Sequence, residues 1–249
     1  MKKAEKYQQA LAGLEDWEPY LLAESGLPGP RANLELVQVV ADMGDQVLFD
    51  RLLLNGPTEA PTNTAREFLA LCGVVGLGKL LAAGQTGELE RLRRYANDPR
   101  WRMREGVCMA LQSYGQQKIG SLIDEMEKWS TGTLLEQRAA VCALCHPELL
   151  KEQASAERTL CLLDEITEFL IEASGRRSES FKVLRKGLGY CWSVAVAACP
   201  QIGKPLFEAW LTSQDKDVRW IMKENLRKAR LQRMDVEWVE RCREVMSNE

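Results

Sequence analysis

Apolar residues recur at the spacing of a helix along most of the chain. In residues 88–96 and again in 103–114, apolar side chains fall three or four positions apart, which places them on one face of a helix. The second stretch carries Met103, Val107, Ala110, Leu111 and Tyr114. No stretch alternates apolar and polar residues over six positions between turn residues, and β-branched residues are sparse. The pattern predicts an all-α protein.

A short phrase occurs twice and predicts a repeat architecture. Residues 98–105 read DPRWRMRE and residues 217–224 read DVRWIMKE. The shared pattern, Asp-x-Arg-Trp-x-Met-(Arg/Lys)-Glu, is the kind of self-similarity that marks a repeat array. Asp98 and Asp217 are predicted to cap the two helices, and Pro99 to occupy the first helical position, where its missing N–H costs nothing.

Basic residues at similar places mark further copies. These anchors are Arg31, Arg66, Arg104, Arg138, Arg185 and Lys223. Their spacing varies from 34 to 47 residues, which suits a two-helix repeat with loop insertions. We therefore predict a single repeat domain over residues 1–249. Its second helices lie near 31–43, 63–83, 99–114, 133–146, 179–198 and 217–231, its first helices near 45–55, 88–96, 118–129, 154–174 and 201–211, and a capping helix at 235–246 covers the open end.

The repeated phrase also resembles a known repeat type. Residues 97–107 resemble the second helix of a HEAT-like repeat. Residues 66–114 and 181–231 are similar to uncharacterised bacterial HEAT-repeat proteins through the strings CGVVGLG (72–78) and KGLGYCW (186–192). The resemblance implies a HEAT-like α-solenoid, a right-handed superhelix of antiparallel helix pairs with about six repeats. The resemblance indicates almost nothing about activity.

A more distant similarity is to the DNA alkylation repeat glycosylases, which are also HEAT-like solenoids. That family holds DNA on a basic concave face and places aromatic residues and an aspartate near the damaged base. Asp98, Trp101 and Trp220 are the right residue types, but no position here aligns with the family's catalytic aspartate. The similarity therefore implies a DNA-binding alternative and no catalytic residue.

Composition narrows the classes of function. The net charge of −3 argues against a general nucleic-acid-binding protein. Residues 91–128 nevertheless have 8 basic and 5 acidic residues, and residues 175–249 have 15 and 10, so a basic patch can form after folding. No signal peptide follows Met1, and no apolar run approaches the ~20 residues that span a bilayer. The eight cysteines are expected to be reduced thiols in a cytoplasmic protein without membrane contact.

Two strings suggest cofactor chemistry, and we expect neither to perform it. Residues 142–146 read CALCH, with Cys142, Cys145 and His146 matching the string of covalent haem attachment. Haem attachment requires export, and zinc would lack a fourth ligand, so no haem, metal or other cofactor is expected. Residues 73–79 fit the start of a P-loop, but Leu80 stands where Ser or Thr would ligate Mg²⁺. We interpret the glycines of this string as sites of close helix approach.

The remaining candidates belong to a binding surface. Equivalent basic anchors line up along one surface of a repeat array, where they either meet a phosphate backbone or pair with carboxylates and helix-end carbonyls of the repeats. The repeated tryptophans either pack between repeats or form an aromatic surface. The helix that follows residue 217 is expected to have no acidic partners on its basic side. The candidate partner- or phosphate-binding residues are Arg100, Trp101, Arg104, Arg138, Arg185, Lys186, Arg219, Trp220, Lys223 and Arg227.

The sequence is compatible with two functions and does not decide between them. No catalytic set emerges, because the lone histidine removes most acid–base schemes. The first hypothesis is a non-catalytic HEAT-repeat scaffold that binds a macromolecular partner, foremost a protein. The alternative is a DNA-binding solenoid related to the alkylated-base glycosylases, with a role in nucleic-acid binding or DNA repair.

Overall fold

Helices are the secondary structure of the described part of the chain. In the computed structural model, which describes residues 3–247, it forms fourteen α-helices and one short 3₁₀ helix, and this range contains no strand. The all-α prediction is confirmed. None of the helices in the described range is both long enough and apolar enough to cross a membrane.

Short connections join most of the helices. Their bounds are α1 (Lys3–Ala12), α2 (Glu18–Glu24), α3 (Leu34–Met43), α4 (Gln46–Leu52), α5 (Ala65–Ala82), α6 (Glu88–Ala96), α7 (Trp101–Trp129), α8 (Leu134–Leu144), a 3₁₀ turn (Pro147–Leu149), α9 (Gln153–Glu172), α10 (Glu179–Ala198), α11 (Pro200–Ala209), α12 (Lys216–Leu226), α13 (Ala229–Met234) and α14 (Val236–Ser247). The predicted ranges 88–96 and 179–198 coincide with α6 and α10. Helices α1 and α2 lie outside the predicted repeats.

Contacts divide the chain into two compact units, residues up to 117 and residues from 118 onward. The division falls within α7, whose backbone leaves the helical region at Lys118 (φ −139°, ψ 54°). Helix α7 therefore contributes residues 101–117 to unit 1 and the rest to unit 2. The single domain over residues 1–249 stays a prediction.

Unit 1 is built around α5. Thr64 caps this helix, because its hydroxyl accepts a hydrogen bond from the N–H of Glu67 (3.3 Å). Nearly every residue from 67 to 81 is buried, so the helix has no polar face and is covered on all sides. Helices α2, α3, α4 and α6 pack around it, and α7 approaches it at Gly78.

Glycines let the neighbouring helices come close to α5. A Cβ on Gly76 would lie 2.4 Å from the ring of Phe49 in α4. A Cβ on Gly78 would lie 2.5 Å from the backbone oxygen of Ala110 in α7. Both distances are far below van der Waals contact, so only glycine fits these positions without a shift of the neighbouring helix.

The lysine of the same string ends a neighbouring helix. Lys79 donates to the backbone oxygens of Asp42 (2.7 Å) and Gly44 (2.8 Å), where α3 ends. These carbonyls have no partner within their own helix. The string 73–79 is therefore a helix-packing segment, as interpreted from sequence, and its lysine serves as a helix cap.

Unit 2 is built around α10. Ser178 caps this helix by accepting a backbone N–H three residues further on (3.2 Å), and α8, α9, α11, α12 and α13 pack against it. Gly187 faces α8, where a Cβ would lie 3.2 Å from Sγ of Cys142. Gly189 faces α12, where a Cβ would lie 2.9 Å from the ring of Trp220. The two glycines thus allow α8 and α12 to approach α10 closely.

A buried asparagine joins α12 to α10. Asn225 is fully buried. Its Oδ1 accepts from the N–H of Ser193 (2.8 Å), and its Nδ2 donates to the backbone oxygens of Leu188 (2.9 Å) and Ile221 (2.8 Å). A buried polar group whose hydrogen bonds are all made favours one register of the two helices over others.

The range predicted as one helix over 217–231 contains two. Helix α12 ends at Leu226 and α13 begins at Ala229. The helix stops because Lys228 between them has an extended backbone (φ −76°, ψ 125°). Helix α13 still packs against α10.

The predicted starts of two helices differ from the structure. Helix α7 begins at Trp101, two residues after Pro99, and the carboxylate of Asp98 accepts a backbone N–H ahead of the helix (2.8 Å). Helix α12 is capped by Asp215, which accepts from two backbone N–H groups (2.9 and 3.1 Å). The cap predicted at Asp217 is wrong, because Asp215 reaches the free N–H groups and Asp217 lies inside the first turn.

Replacing Gly78 by alanine tests the close approach of α5 and α7. The new Cβ would meet three backbone atoms of Ala110 at 2.5 to 2.9 Å. We expect Gly78→Ala to lower the free energy of unfolding by about 1–3 kcal/mol, because backbone cannot move aside as a side chain can. The control is Gly120→Ala in α7, where a Cβ meets nothing within 4 Å, and it should stabilise by up to about 1 kcal/mol. Urea denaturation measures both, and equal effects would contradict the packing described.

Candidate functional site

The predicted site residues range from buried to exposed, and Arg100 is one of the buried ones. Its guanidinium pairs with both carboxylate oxygens of Asp98 (Nε–Oδ1 3.0 Å, Nη2–Oδ2 2.8 Å). It also donates to the backbone oxygens of Asn55 (2.9 Å) and Ala60 (3.2 Å). Only 3% of Arg100 is exposed. Its role is therefore to fasten the loop before α5 to the start of α7.

Arg104 and Arg138 are buried as well. Arg104 donates to the backbone oxygens of Asp98 (2.7 Å) and Pro99 (3.0 Å), just before its own helix. Arg138 packs its aliphatic stem beside Gly187 of α10, whose Cβ would lie 3.4 Å from Cγ of the arginine. At these two anchors the geometry favours the structural alternative over a row of exposed cations.

The first repeated tryptophan is covered by an arginine that sequence reasoning missed. The guanidinium of Arg102 lies 4.4 Å from the ring centroid of Trp101, which is 45% exposed. Arg102 is itself buried and pairs with the fully buried Glu67 of α5 (3.0 Å). A signal for this pair exists in the sequence, because Glu67 opens an apolar run and a buried charge needs a partner.

The second repeated tryptophan is covered by an arginine from the neighbouring helix. Arg185 of α10 lies 4.3 Å from the ring centroid of Trp220, and its Nη1 bonds Oδ1 of Asp217 (2.6 Å). The ring also lies against Gly189 of α10. Trp220 therefore packs between α12 and α10, and Arg185 joins the two helices.

Two further arginines hold α12 in place. Arg176 pairs with Asp215 (2.6 Å) and Asp217 (3.0 Å), which anchors the loop before α10. Partial burial raises the pKa of Asp215, but the N–H of Val218 and the Arg176 guanidinium together outweigh it, so its pKa is lowered. Arg219 donates to a backbone oxygen near the end of α14 (3.1 Å), so this predicted candidate also makes an internal contact.

Three of the exposed candidates, Lys186, Lys223 and Arg227, lie on α10 and α12 of unit 2. Helices α10 and α12 each present exposed residues four positions apart, which places them in a stripe along each helix. Helix α13 adds one cation that contacts α10. We define the basic face as Lys182, Lys186 and Tyr190 on α10, Lys223 and Arg227 on α12, and Arg230 on α13. Sequence reasoning missed Lys182, although its spacing from Lys186 is a usable signal.

The basic face has an aromatic centre. Tyr190 is 44% exposed, and the guanidinium of Arg230 lies 4.5 Å from its ring centroid. Arg230 also donates to the tyrosine hydroxyl (2.6 Å). Lys182, Lys186 and Lys223 make no ion pair with any residue in the range 3–247. Three charges of the face are therefore available to a partner.

The helix that follows residue 217 was expected to have no acidic partners on its basic side, and this expectation is wrong. Glu224 pairs with Arg227 and with Lys228 (4.0 Å for the second). The pairs form because the cations follow Glu224 by three and four positions, which one turn of helix brings together. The side chain of Arg227 is still 71% exposed. Such exposed pairs contribute little stabilisation, so Arg227 remains accessible to a partner.

The CALCH string lies where α8 ends. Cys145 is buried, His146 is half-buried, and Nδ1 of His146 is buried without a hydrogen-bond partner. Within residues 3–247, no group of three or more His, Cys, Asp or Glu side chains is arranged to hold a metal ion. The string instead places Cys142 beside Cys191 of α10, with the two Sγ atoms 3.8 Å apart.

Comparisons with known proteins identify no family. No family model matches the chain, and no curated protein matches it. The crystal structure of an engineered protein from the Northeast Structural Genomics Consortium aligns over 97% of this chain and 98% of its own, with 15% sequence identity and a TM-score of 0.39. A likeness at that TM-score carries no argument about fold or function.

Removing the Arg100 guanidinium tests whether the buried cations are structural. We expect Arg100→Gln to lower the free energy of unfolding by about 3–5 kcal/mol, because it leaves the buried Asp98 carboxylate without its ionic partner. Arg227→Gln is the control and should change stability by less than about 0.5 kcal/mol, since its pair is exposed. Urea denaturation of both variants provides the measurement. A small effect for Arg100→Gln would show that the Asp98 pair does not hold the structure.

Proposed function

We propose that this protein is a HEAT-like α-solenoid without catalytic activity, which binds an acidic segment of a partner protein on its basic face. The repeat assignment is supported by contacts that recur in both units. In unit 1, Arg102 covers Trp101 and pairs with Glu67 of α5. In unit 2, Arg185 covers Trp220 and pairs with an acid of α12. An arginine over the repeated tryptophan, paired across two helices, is the shared element.

The binding proposal rests on the contrast between cations that are buried with partners and cations that are exposed without an ion pair. Arg100 and Arg104 are buried among carboxylate and carbonyl oxygens. Lys182, Lys186 and Lys223 instead are exposed and form no ion pair in the described range 3–247. Exposed cations around a half-exposed tyrosine offer charge pairing together with an amphipathic ring, and both features favour a protein partner that carries acidic residues.

The size of the basic face fits a short segment. Along α10 the face runs from residue 182 to residue 190, which is about 12 Å at 1.5 Å per residue. This length matches about two turns of a partner helix. A long row of anchors for a phosphate backbone is not supported, because Arg104 and Arg138 are buried.

One observation favours the nucleic-acid alternative. Trp220 and Tyr190 both carry a guanidinium over the ring, from Arg185 and Arg230. Aromatic rings beside cations are the usual platform for unpaired bases. A single-stranded nucleic acid is therefore the second candidate partner, and it would contact Tyr190 of the basic face together with Trp220.

Fluorescence anisotropy with two labelled probes tests the proposal. The probes are a polyglutamate peptide and a single-stranded oligonucleotide of similar charge, titrated with the full chain at low and near-physiological salt. We expect polyglutamate to bind and Lys186→Glu/Lys223→Glu to weaken its binding at least about tenfold, because two attractive charges become repulsive. The control Lys6→Glu/Arg31→Glu makes the same change of charge at exposed positions of unit 1 and should leave binding unchanged within about twofold.

The outcomes separate the two candidates. Tighter binding of the oligonucleotide than of polyglutamate, with an affinity that falls steeply as salt rises, would favour the nucleic-acid alternative. An equal loss of polyglutamate affinity in the two double variants would mean that binding depends on net charge alone. The assignment of binding to the basic face would then be abandoned. An absence of binding to both probes at low salt would refute charge-driven recognition on this face.

A further inference from the structure

Two thiols that are distant in sequence meet between α8 and α10. Sγ of Cys142 lies 3.8 Å from Sγ of Cys191. An S–S bond is about 2.05 Å long, so bond formation requires an approach of less than about 2 Å. Neither thiol is part of a disulfide in the structure. The pair lies wholly within unit 2 and does not depend on the proposed function.

A glycine makes this contact possible. Gly187 precedes Cys191 by one helical turn, and a Cβ at this glycine would lie 3.2 Å from Sγ of Cys142. Such a distance is tighter than ordinary van der Waals contact, so a larger residue at position 187 would force the Cys142 side chain to shift. Gly187 therefore leaves room for the Cys142 side chain beside Cys191.

The two thiols differ in their access to solvent. Cys142 is half-buried, whereas Cys191 is 1% exposed. Contact with Cys142 lowers the pKa of Cys191, but contact with Cys145 and burial raise it, and the result lies well above the ordinary value. Cys191 thus stays protonated and shielded. Cys142 is the member of the pair that a small oxidant reaches.

We propose that Cys142 and Cys191 are a modification site, at which a peroxide forms a reversible disulfide that links α8 to α10. The sulfur of Cys142 attacks hydrogen peroxide, the O–O bond breaks, and a sulfenic acid and one water result. The sulfur of Cys191 then attacks the sulfenic sulfur, and the hydroxyl leaves with the Cys191 proton as a second water. Two thiols are oxidised to one disulfide, and one peroxide is reduced to two waters.

Two other cysteines compete for the oxidant or for the bond. Cys161 of α9 is exposed, so peroxide reaches it freely. Cys145 lies close enough to Cys191 to affect its pKa, so it is the alternative partner within the cluster. The test must therefore show which sulfur atoms are joined as well as that oxidation has occurred.

Peptide mapping of the full-length protein tests the site. The folded protein is treated with a small excess of hydrogen peroxide, free thiols are blocked with iodoacetamide, and a protease digest is analysed by mass spectrometry without reduction. We expect a peptide linked through Cys142 and Cys191, lighter by two hydrogens than its components and released by dithiothreitol. Cys142→Ser and Cys191→Ser should abolish it, and the controls Cys161→Ser and Cys145→Ser should retain it.

The mapping on the unaltered protein keeps the test valid if a serine variant fails to fold. Circular dichroism before and after treatment checks that the helices persist. Complete alkylation of both Cys142 and Cys191 after peroxide treatment, with oxidation confined to Cys161, would overturn the proposal. A linkage between Cys145 and Cys191, or between Cys142 and Cys145, would overturn it equally.

Discussion

The close approach of helices at glycine positions is the constraint on which both units depend. Gly78 admits the backbone of α7 to α5, and Gly187 and Gly189 admit α8 and α12 to α10. Interiors are packed to the density of organic crystals, so a Cβ at any of these positions must displace a neighbour. The ring of Trp220 lies on α10 only because Gly189 leaves room for it.

Burial then determines what the charged residues do. A charge removed from water is tolerated only with a partner and with its hydrogen bonds made. Arg100 and Arg102 meet that condition through Asp98 and Glu67, so they hold loops and helices together. The exposed lysines of the basic face need no such partner, because solvent screens their charge. Basic residues therefore have a structural role in the interior and a proposed binding role on the surface.

Periodicity and the repeated phrase were sufficient to predict the all-α class and to locate α6 and α10. They could not predict which anchor residues are buried. Arg104 and Lys223 hold the same place in the phrase, but only Arg104 is buried. Burial depends on what packs against a residue, and no local pattern contains that information. The same holds for Asn225 and for the Cys142–Cys191 contact, which join residues from different helices.

We propose that a partner binds the basic face of unit 2, beside the second repeated tryptophan, and does not contact the region around the first. The most direct measurement follows the indole N–H resonances of Trp101 and Trp220 in a two-dimensional ¹⁵N NMR titration of the full chain with polyglutamate. We expect the resonances of Trp220 and of the backbone amides of α10 and α12 to shift in proportion to binding, while those of Trp101 and of the amides of α5 do not. Shifts centred on Trp101, or spread evenly over both units, would contradict it.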